Sequence, residues 1–449
     1  MPTTAVTTRR KEPQSSKEGR PPASTGKVVI SDLIEVLEEY LDPKEVKAVY
    51  KAYLFGADAH DGQRRRSGEA FISHPLSVAL ILADMRLDSP SISAAILHDV
   101  IEDTPTLREQ LAELFGEDVA LLVDGVSKID QIEFESKEHA EAENFRKMLL
   151  AMAKDIRVIL IKLADRIHNM RTLDSLRSDQ RKRIAQQTFD IYAPIANRLG
   201  MYAWTQELED LSFQHLYPKR YSAIRKEISK RRGNRKRVVD RSRLKITEEL
   251  EETGINATVV GREKNIYSVY RKMQDRRVPM AEMGDIFAIR IIVNTVDECY
   301  RVLGIIHNLY KPVPGMFKDY IAISKANGYQ SLHTQLFGTF GQSIEVQIRT
   351  TDMHRVAESG VASHWRYKSH GGETPPQIVA HSWLVDLIET QQESGNPSEF
   401  LEHLKTDLFP DEIYVFTPKG DIKKLPKGAS ALDFAYAVHS DIGNHCIGA

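Results

Sequence analysis

The chain has 449 residues, 41% of them hydrophobic and 28% charged, with a formal net charge of −2 at pH 7. That length accommodates two or three domains with sizeable cores. The near-neutral balance excludes a chain that coats nucleic acid over its whole surface, although local basic patches stay open.

Residues 1–27, rich in Thr, Ser, Pro and charge, are expected to be a disordered tail. Arg9-Arg10-Lys11 is followed by no apolar stretch of the kind a secretory signal needs. Residues 28–180 read as an all-helical domain. Ile30–Leu41, Pro75–Met85, Ser91–Glu102 and Ala153–Met170 carry apolar residues at i, i+3 and i+4, with breakers at Asp42-Pro43, Ser89-Pro90 and Thr104-Pro105 between them. Residues 181–220 are expected to continue as a connecting helical bundle. The strongly basic stretch Lys219–Lys245 is either a solvated helix face at a domain edge or a docking face for RNA or another anionic partner.

Beyond Thr253 the period changes. Ala257–Val260, Asp285–Val293, Tyr329–Phe337 and Ser343–Thr350 read as strands, with helices over Ile266–Gln274 and Val296–Leu309. A mixed α/β domain over 221–370 follows. Residues 371–405 read as a linker with one helix, Ile378–Gln391, and 406–449 as a small unit that looks truncated. It holds a strand at Ile413–Thr417, a turn at Pro418–Asp421 and a helix at Leu432–His439. Cys299 and Cys446 make neither a disulfide framework nor a zinc cluster, as expected in a reducing cytoplasm. No apolar run approaches the ~20 residues that a spanning helix needs.

In the helical half, His98-Asp99 interrupts the apolar run Ala94–Ile101, and Asp165 lies in the apolar helix Ile159–Asp165. Burying unpaired charge is costly, so partners must exist. His74 precedes Pro75, a good first helical residue, which puts His74 at a helix mouth. One His-Asp pair could be a satisfied core pair. The order His74, His98-Asp99, Asp165 instead suits an octahedral Mn²⁺ or Fe²⁺ site that activates water. Glu102 and Asp103 follow Asp99 by one turn, where they can orient water or move protons. Arg64-Arg65-Arg66-Ser67, just before His74, is either a phosphate-binding segment or a solvated basic loop. Arg166, His168, Asn169 and Thr172 trail Asp165 by one or two turns, so some can face the same cavity.

In the α/β half, Ser343–Thr350 alternates cleanly. Ile344, Val346 and Ile348 point one way, and Glu345, Gln347 and Arg349 the other. Tyr329 and His333 are expected to share a strand face. Asp285 and Glu345, if on neighbouring strands, could hold Mg²⁺ on a nucleotide's phosphates. Arg262, Lys264, Lys272, Lys318 and Lys325 surround this face in sequence, and Tyr329 could stack on a purine. The residues alone leave a nucleotide site and a solvated sheet surface equally open.

Together with the His/Asp series, four phrases resemble the long RelA/SpoT homologues, the (p)ppGpp synthetase–hydrolases. They are Gly261-Arg262-Glu263-Lys264, Phe317-Lys318-Asp319-Tyr320, Lys325-Ala326-Asn327-Gly328-Tyr329-Gln330-Ser331-Leu332-His333 and Glu345-Val346-Gln347-Ile348-Arg349-Thr350. The resemblance runs from about Val28 to the C-terminus. It implies an all-α HD-type hydrolase, an α/β nucleotidyltransferase of polymerase-β-like fold, and a partial β-grasp TGS domain. By position it makes His74, His98, Asp99 and Asp165 the Mn²⁺ ligands, and Glu102 and Asp103 the catalytic carboxylates. Arg65, Arg66, Ser67, Asn169 and Thr172 would contact the ppGpp or pppGpp. In the synthetase, Asp285 and Glu345 would serve Mg²⁺ and the 3′-hydroxyl of GDP or GTP. Arg262 and Lys264 would bind ATP, and Tyr329 would stack on the acceptor guanine. Lys318, Lys325, Asn327, His333 and Gln347 complete that set. Met316 stands where bifunctional relatives carry arginine, which implies weak synthesis. Leu408–Val415 resembles the hydrolysis-dominant branch. The family also implies acyl carrier protein, or the ribosome with tRNA, as partner of the TGS region. Two other readings are a synthetase-dominant enzyme and a non-catalytic nucleotide- or RNA-binding regulator.

Overall fold

Local caps and breakers start the helices of the first half. Glu45 accepts a hydrogen bond from the Asp42 backbone N–H (3.0 Å) ahead of Pro43, and Asp88 accepts one from Ser91 N–H (3.2 Å) ahead of the fourth helix. The computed structural model describes residues 28–127, 155–277, 287–325, 327–338, 343–362, 412–417, 422–426 and 428–449. The expected tail, Asp285 and the linker helix Ile378–Gln391 lie outside these.

The helical unit comprises α1 (Ile30–Leu37), α2 (Pro43–Ala59), α3 (Ser73–Asp84), α4 (Ser89–Leu97), α5 (Val100–Asp103), α6 (Arg108–Phe115), α7 (Glu117–Ser127), α8 (Ile156–Arg171), α9 (Ser178–Gln187), α10 (Ala193–Arg198) and α11 (Tyr202–Leu216). A single π turn, Thr188–Tyr192, joins α9 to α10. Helix α4 is buried all round and packs against α2, α3 and α7, which explains its lack of a polar face.

Two expectations need correction here. The helix expected over Ser91–Glu102 breaks at His98-Asp99. The His98 Nδ1 takes the Ala95 carbonyl at 2.8 Å, the acceptor that the Asp99 N–H would use in a continuous helix. Helix α3 begins at Ser73, so His74 sits inside its first turn, with Pro75 third.

The second half starts with α12, a 35-residue helix over Pro218–Glu252 that contains the basic stretch. It leads into β1 (Thr258–Glu263), α13 (Ile266–Arg276), β2 (Phe287–Val293), α14 (Val296–Leu309), β3 (Lys318–Asp319), β4 (Leu332–Phe337), β5 (Ser343–Thr350) and α15 (Thr351–Ser359). The sheet order is β1-β2-β5-β4-β3, with β2 and β5 parallel and the other pairs antiparallel. The strand expected from Tyr329 begins only at Leu332. Before it, the chain folds back on itself, with Gly328 at φ +74° and Gly328 N–H bonded to the Lys325 carbonyl (2.9 Å). The polar face of β5 is covered rather than solvated, and Arg349 is 1% exposed. A last unit pairs β6 (Glu412–Phe416) with β7 (Ile422–Pro426) and adds α16 (Ala431–Val438) and α17 (Ser440–Asn444).

Helix α11 belongs to both cores. Trp204 and Leu208 lie in the helical core, and Phe213 lies in the core of the α/β unit. The chain after α15 returns the favour, since Val361 and Ala362 join the helical core and Val361 N–H bonds the Leu199 carbonyl at 3.1 Å. Gly360, at φ +53°, makes this crossing possible. A Cβ there would lie 2.5 Å from the Leu199 oxygen and 2.7 Å from the Met201 nitrogen.

Gly360→Ala is therefore expected to destabilise the chain by about 2–4 kcal/mol through left-handed strain and overpacking. An unchanged thermal midpoint would refute the crossing as a tight contact. A pH effect arises on α11 as well. Burial pushes the Glu209 carboxyl up from 4.5 to about 7, against opposition from Arg271. The folded state then holds a proton that the unfolded chain releases, so this group costs stability as pH rises from about 4.5 through about 7. Thermal midpoints measured across that range should fall in the parent and fall less in Glu209→Gln.

Candidate functional site

Four elements bring one polar cluster together in the helical unit. His74 comes from the first turn of α3, His98 and Asp99 from the break between α4 and α5, and Asp165 from α8. His74 Nε2 lies 3.1 Å from Asp165 Oδ1 and 3.8 Å from Asp99 Oδ2. His98 Nε2 lies 2.9 Å from Asp99 Oδ1 and 4.0 Å from Asp165 Oδ1. Ligand atoms of His74, His98 and Asp99 all fall within 4.8 Å of one another.

The electrostatics call for positive charge at this point. Burial disfavours ionising Asp165, yet Lys162 (Nζ 3.4 Å away) and His74 hold its carboxyl well below the usual range. Asp99 is also lowered, by His98 against its own burial. Burial depresses His98, but the Asp99 and Asp165 carboxylates outweigh it and raise the imidazole to about 9. His74 goes the other way, because its burial wins.

The donor set fits a divalent cation on a specific observation. His98 Nδ1 is engaged by the Ala95 carbonyl, while its buried Nε2 makes no hydrogen bond despite the nearby carboxylate. With a cation in place of its Nε2 proton, an imidazole held in this way would direct its lone pair to that cation, the arrangement of a metal-ligating histidine with its outer partner. Two nitrogens and two carboxylates suit a metal such as Mn²⁺ or Fe²⁺.

The cluster forms part of the wall of a cavity of about 490 Å³. Arg65, Arg66, Ser67, Asn169 and Thr172, all expected on the substrate side, line it together with His74, Asp99 and Asp165. Arg65 Nη2 donates to Asn169 Oδ1 (2.8 Å), and Asn169 Nδ2 donates to Asp165 Oδ1 (2.6 Å). Phe71, Leu173, Leu176 and Ile184 add apolar wall. Glu102 and Asp103 are exposed on α5 and are not among the residues lining this cavity. Partial desolvation and the Asp99 charge raise the Asp103 carboxyl. The Asp103 carbonyl accepts from Gln63 Nε2 (3.2 Å), which ties α5 to the arginine loop.

The α/β unit holds a second polar cluster. Glu345 on β5 lies opposite Ala288 of the neighbouring β2, the strand that follows Asp285. Its Oε2 pairs with Lys264 Nζ (2.6 Å) and Lys272 Nζ (2.8 Å), and Gln347 Nε2 donates to its Oε1 (3.1 Å). Burial raises this carboxyl, but the two lysines prevail and hold it far below the usual range. Arg262 bonds Gln206 of α11 and lies 5.6 Å over the Tyr202 ring. Tyr329 is 9% exposed, and its hydroxyl meets His333 Nε2 at 2.8 Å. Lys325 Nζ stands 5.3 Å from the Tyr329 ring centre. Burial pushes His333 down to about 3. Lys318 faces His333 across β3 and β4.

Asn327 links this group to the helical unit, because its amide donates to the Asn197 carbonyl of α10 at 3.0 Å and its Oδ1 accepts from the Tyr329 N–H at 3.2 Å. Sequence reasoning missed Arg290, which is buried on β2 and pairs with Glu358 at 2.8 Å. An arginine inside a run of apolar strand residues was the available signal. Arg262, Arg290 and Glu358, with Tyr202 and Gln206 of α11, line another cavity of about 490 Å³.

Three regions match described families: an HD domain over residues 52–202, a region found in RelA / SpoT proteins over 261–372, and a TGS domain over 413–449. A guanosine-3′,5′-bis(diphosphate) 3′-pyrophosphohydrolase of Vibrio cholerae is 54% identical over 423 residues, which is 94% of this chain and 60% of that protein. The bifunctional (p)ppGpp synthase/hydrolase SpoT of Escherichia coli K12 is 54% identical over 422 residues, again 94% and 60%. A GTP pyrophosphokinase of Myxococcus xanthus is 49% identical over 416 residues, 92% of this chain and 55% of that protein. The chain thus spans about 60% of the length of the first two relatives. With an all-helical HD unit, a mixed α/β unit and a TGS segment in this order, the chain belongs to the long RelA/SpoT homologues.

Proposed function

We propose that the helical unit hydrolyses the 3′-pyrophosphate of ppGpp and pppGpp, giving GDP or GTP and pyrophosphate. The observation that carries this reading is the meeting of His74, His98, Asp99 and Asp165 beside a cavity lined by Arg64, Arg65 and Arg66. The first three and Asp165 would hold Mn²⁺, which when bound supplies Lewis acidity toward water and phosphoryl oxygen. The arginines grip phosphate oxygens through their rigid donor forks. Asn169 and Thr172 fix the nucleoside end, and the apolar wall shields it from water. Hydrolysis breaks the bond between the ribose 3′-oxygen and phosphorus. Glu102 takes a proton from the attacking water. Asp103, whose carboxyl is held above its usual range, is suited to give one to the departing 3′-oxygen.

The α/β unit would transfer pyrophosphate from ATP to the 3′-hydroxyl of GDP or GTP, with Mg²⁺ on Asp285 and Glu345. Arg262, Lys264 and Lys318 would neutralise phosphate charge. Weak synthesis is supported by two features. Lys264 and Lys272 occupy Glu345, and α11 occupies Arg262. Met316 also puts no charge where the resemblance implies arginine. The TGS segment would recruit acyl carrier protein or the ribosome with tRNA. Among the described residues no helix is long and apolar enough to cross a membrane, and we place the protein in the cytoplasm.

Labelled ppGpp incubated with the chain should release pyrophosphate with Mn²⁺ and stop with chelator. Asp99→Ala should slow release at least about 100-fold, the scale of losing metal assistance. Absence of Mn²⁺-dependent release would leave the non-catalytic regulator as the better reading. Met316→Arg should raise ATP-dependent synthesis several-fold while leaving hydrolysis unchanged, and an unaltered synthesis rate would remove Met316 from the explanation.

A further inference from the structure

His168 and Arg65 form a second layer behind the proposed metal ligands, and their hydrogen bonds fix a proton. His168 stands on α8, one turn beyond Asp165. Its Nδ1 lies 2.7 Å from His74 Nδ1 and 3.4 Å from Arg65 Nη1, and the two imidazole centres are 4.8 Å apart. A guanidinium can only donate. The His168 Nδ1 must therefore accept, and the proton of its neutral ring sits on Nε2. A nitrogen that accepts can face His74 Nδ1 only if that atom carries a hydrogen. His74 is thereby set as the Nδ1–H tautomer, and its Nε2 lone pair points at Asp165 and Asp99.

The same logic applies to Asn169. Arg65 donates to its Oδ1, so its Nδ2 must face Asp165. One guanidinium thus settles the orientation of two side chains that each touch a ligand. His98 reaches the equivalent state by another route, through the Ala95 backbone carbonyl. The two histidines of the cluster are therefore aimed by different partners, one by backbone and one by side chain.

We infer that His168 is the positioning residue that holds His74 in its metal-ligating tautomer, and that Arg65 locks His168 in the accepting form. This rests on the metal centre proposed above. Outer partners of ligand histidines change metal affinity by about 10- to 100-fold when removed. His168→Phe, which keeps the ring but not the acceptor, should weaken Mn²⁺ binding by about that factor. His168→Asn, whose amide oxygen sits near the position of Nδ1, should restore most of the affinity. Arg65→Met should weaken it by a smaller factor, although Arg65 would not touch the metal.

The test is calorimetric titration of the full chain and each variant with Mn²⁺, with the visible spectrum of the Co²⁺-loaded protein as a second readout. Metal-free thermal midpoints serve as the control for folding. The expected pattern is weak Mn²⁺ binding and an altered Co²⁺ spectrum in His168→Phe, with both recovered in His168→Asn. Parent-like Mn²⁺ affinity in a folded His168→Phe overturns the inference, as does His168→Asn binding no better than His168→Phe. Should His168→Phe fail to fold, parent-like affinity in Arg65→Met overturns the lock. A parent chain that binds no Mn²⁺ overturns the metal centre itself, a different result from any of these.

Discussion

Two carboxylates, Asp99 and Asp165, face two buried imidazoles among packed apolar helices, and the rest of the helical unit is built around satisfying them. Burying such charge is costly unless each group finds a partner in good geometry. The cost is met from several directions at once. Lys162 and Asn169 approach Asp165 from its own helix, and His74 and His98 approach from α3 and from the end of α4. The two histidines come from elements other than α8, so the cluster specifies how α3, α4 and α8 must meet. The break at His98-Asp99 belongs to this constraint. A continuous helix would satisfy the backbone, but it would take back the Ala95 carbonyl that orients His98.

Some of this was readable from sequence and some was not, for physical reasons. Strand Ser343–Thr350 and helix Val296–Leu309 were legible to the residue because their signals are local. The strand alternates at period two. The helix has Thr295 and Glu298 closing a capping box. The His/Asp series was legible because charge inside an apolar run demands an explanation. The helix break was hidden, since it depends on a ring nitrogen outcompeting a backbone N–H. The late start of β4 could have been read, because Asn327-Gly328 is a turn signal standing before Tyr329. The role of His168 could not. Its spacing from Asp165 was visible, but the constraint comes from Arg65, more than a hundred residues earlier in the chain.

The second cluster differs in kind. Around Asp99 and Asp165 the charges face a cavity, and Lys162, Asn169 and two histidines surround them. Around Glu345 the charges have already paired within the protein. Two lysines hold the carboxylate, and a glutamine and a tyrosine of α11 hold Arg262. On the proposed reading, a nucleotide with its cation has to displace these contacts before it can use the same side chains. Binding there is reduced by whatever the internal pairs contribute.

The identity of the helix that holds Arg262 then matters. Gln206 and Tyr202 stand on α11 beside Trp204 and Leu208, which fill the helical core, while Phe213 further along fills the other core. Close-packed side chains do not move one at a time. A shift of α11 that frees Arg262 must also displace Trp204 and Leu208, and α11 packs directly on α8, which carries Asp165, His168 and Asn169. Freeing Arg262 in the α/β unit therefore perturbs the helix that carries Asp165, His168 and Asn169. If both proposed chemistries operate in this chain they must exclude one another, and a single helix shared by two close-packed cores supplies a physical link through which each site can sense the other.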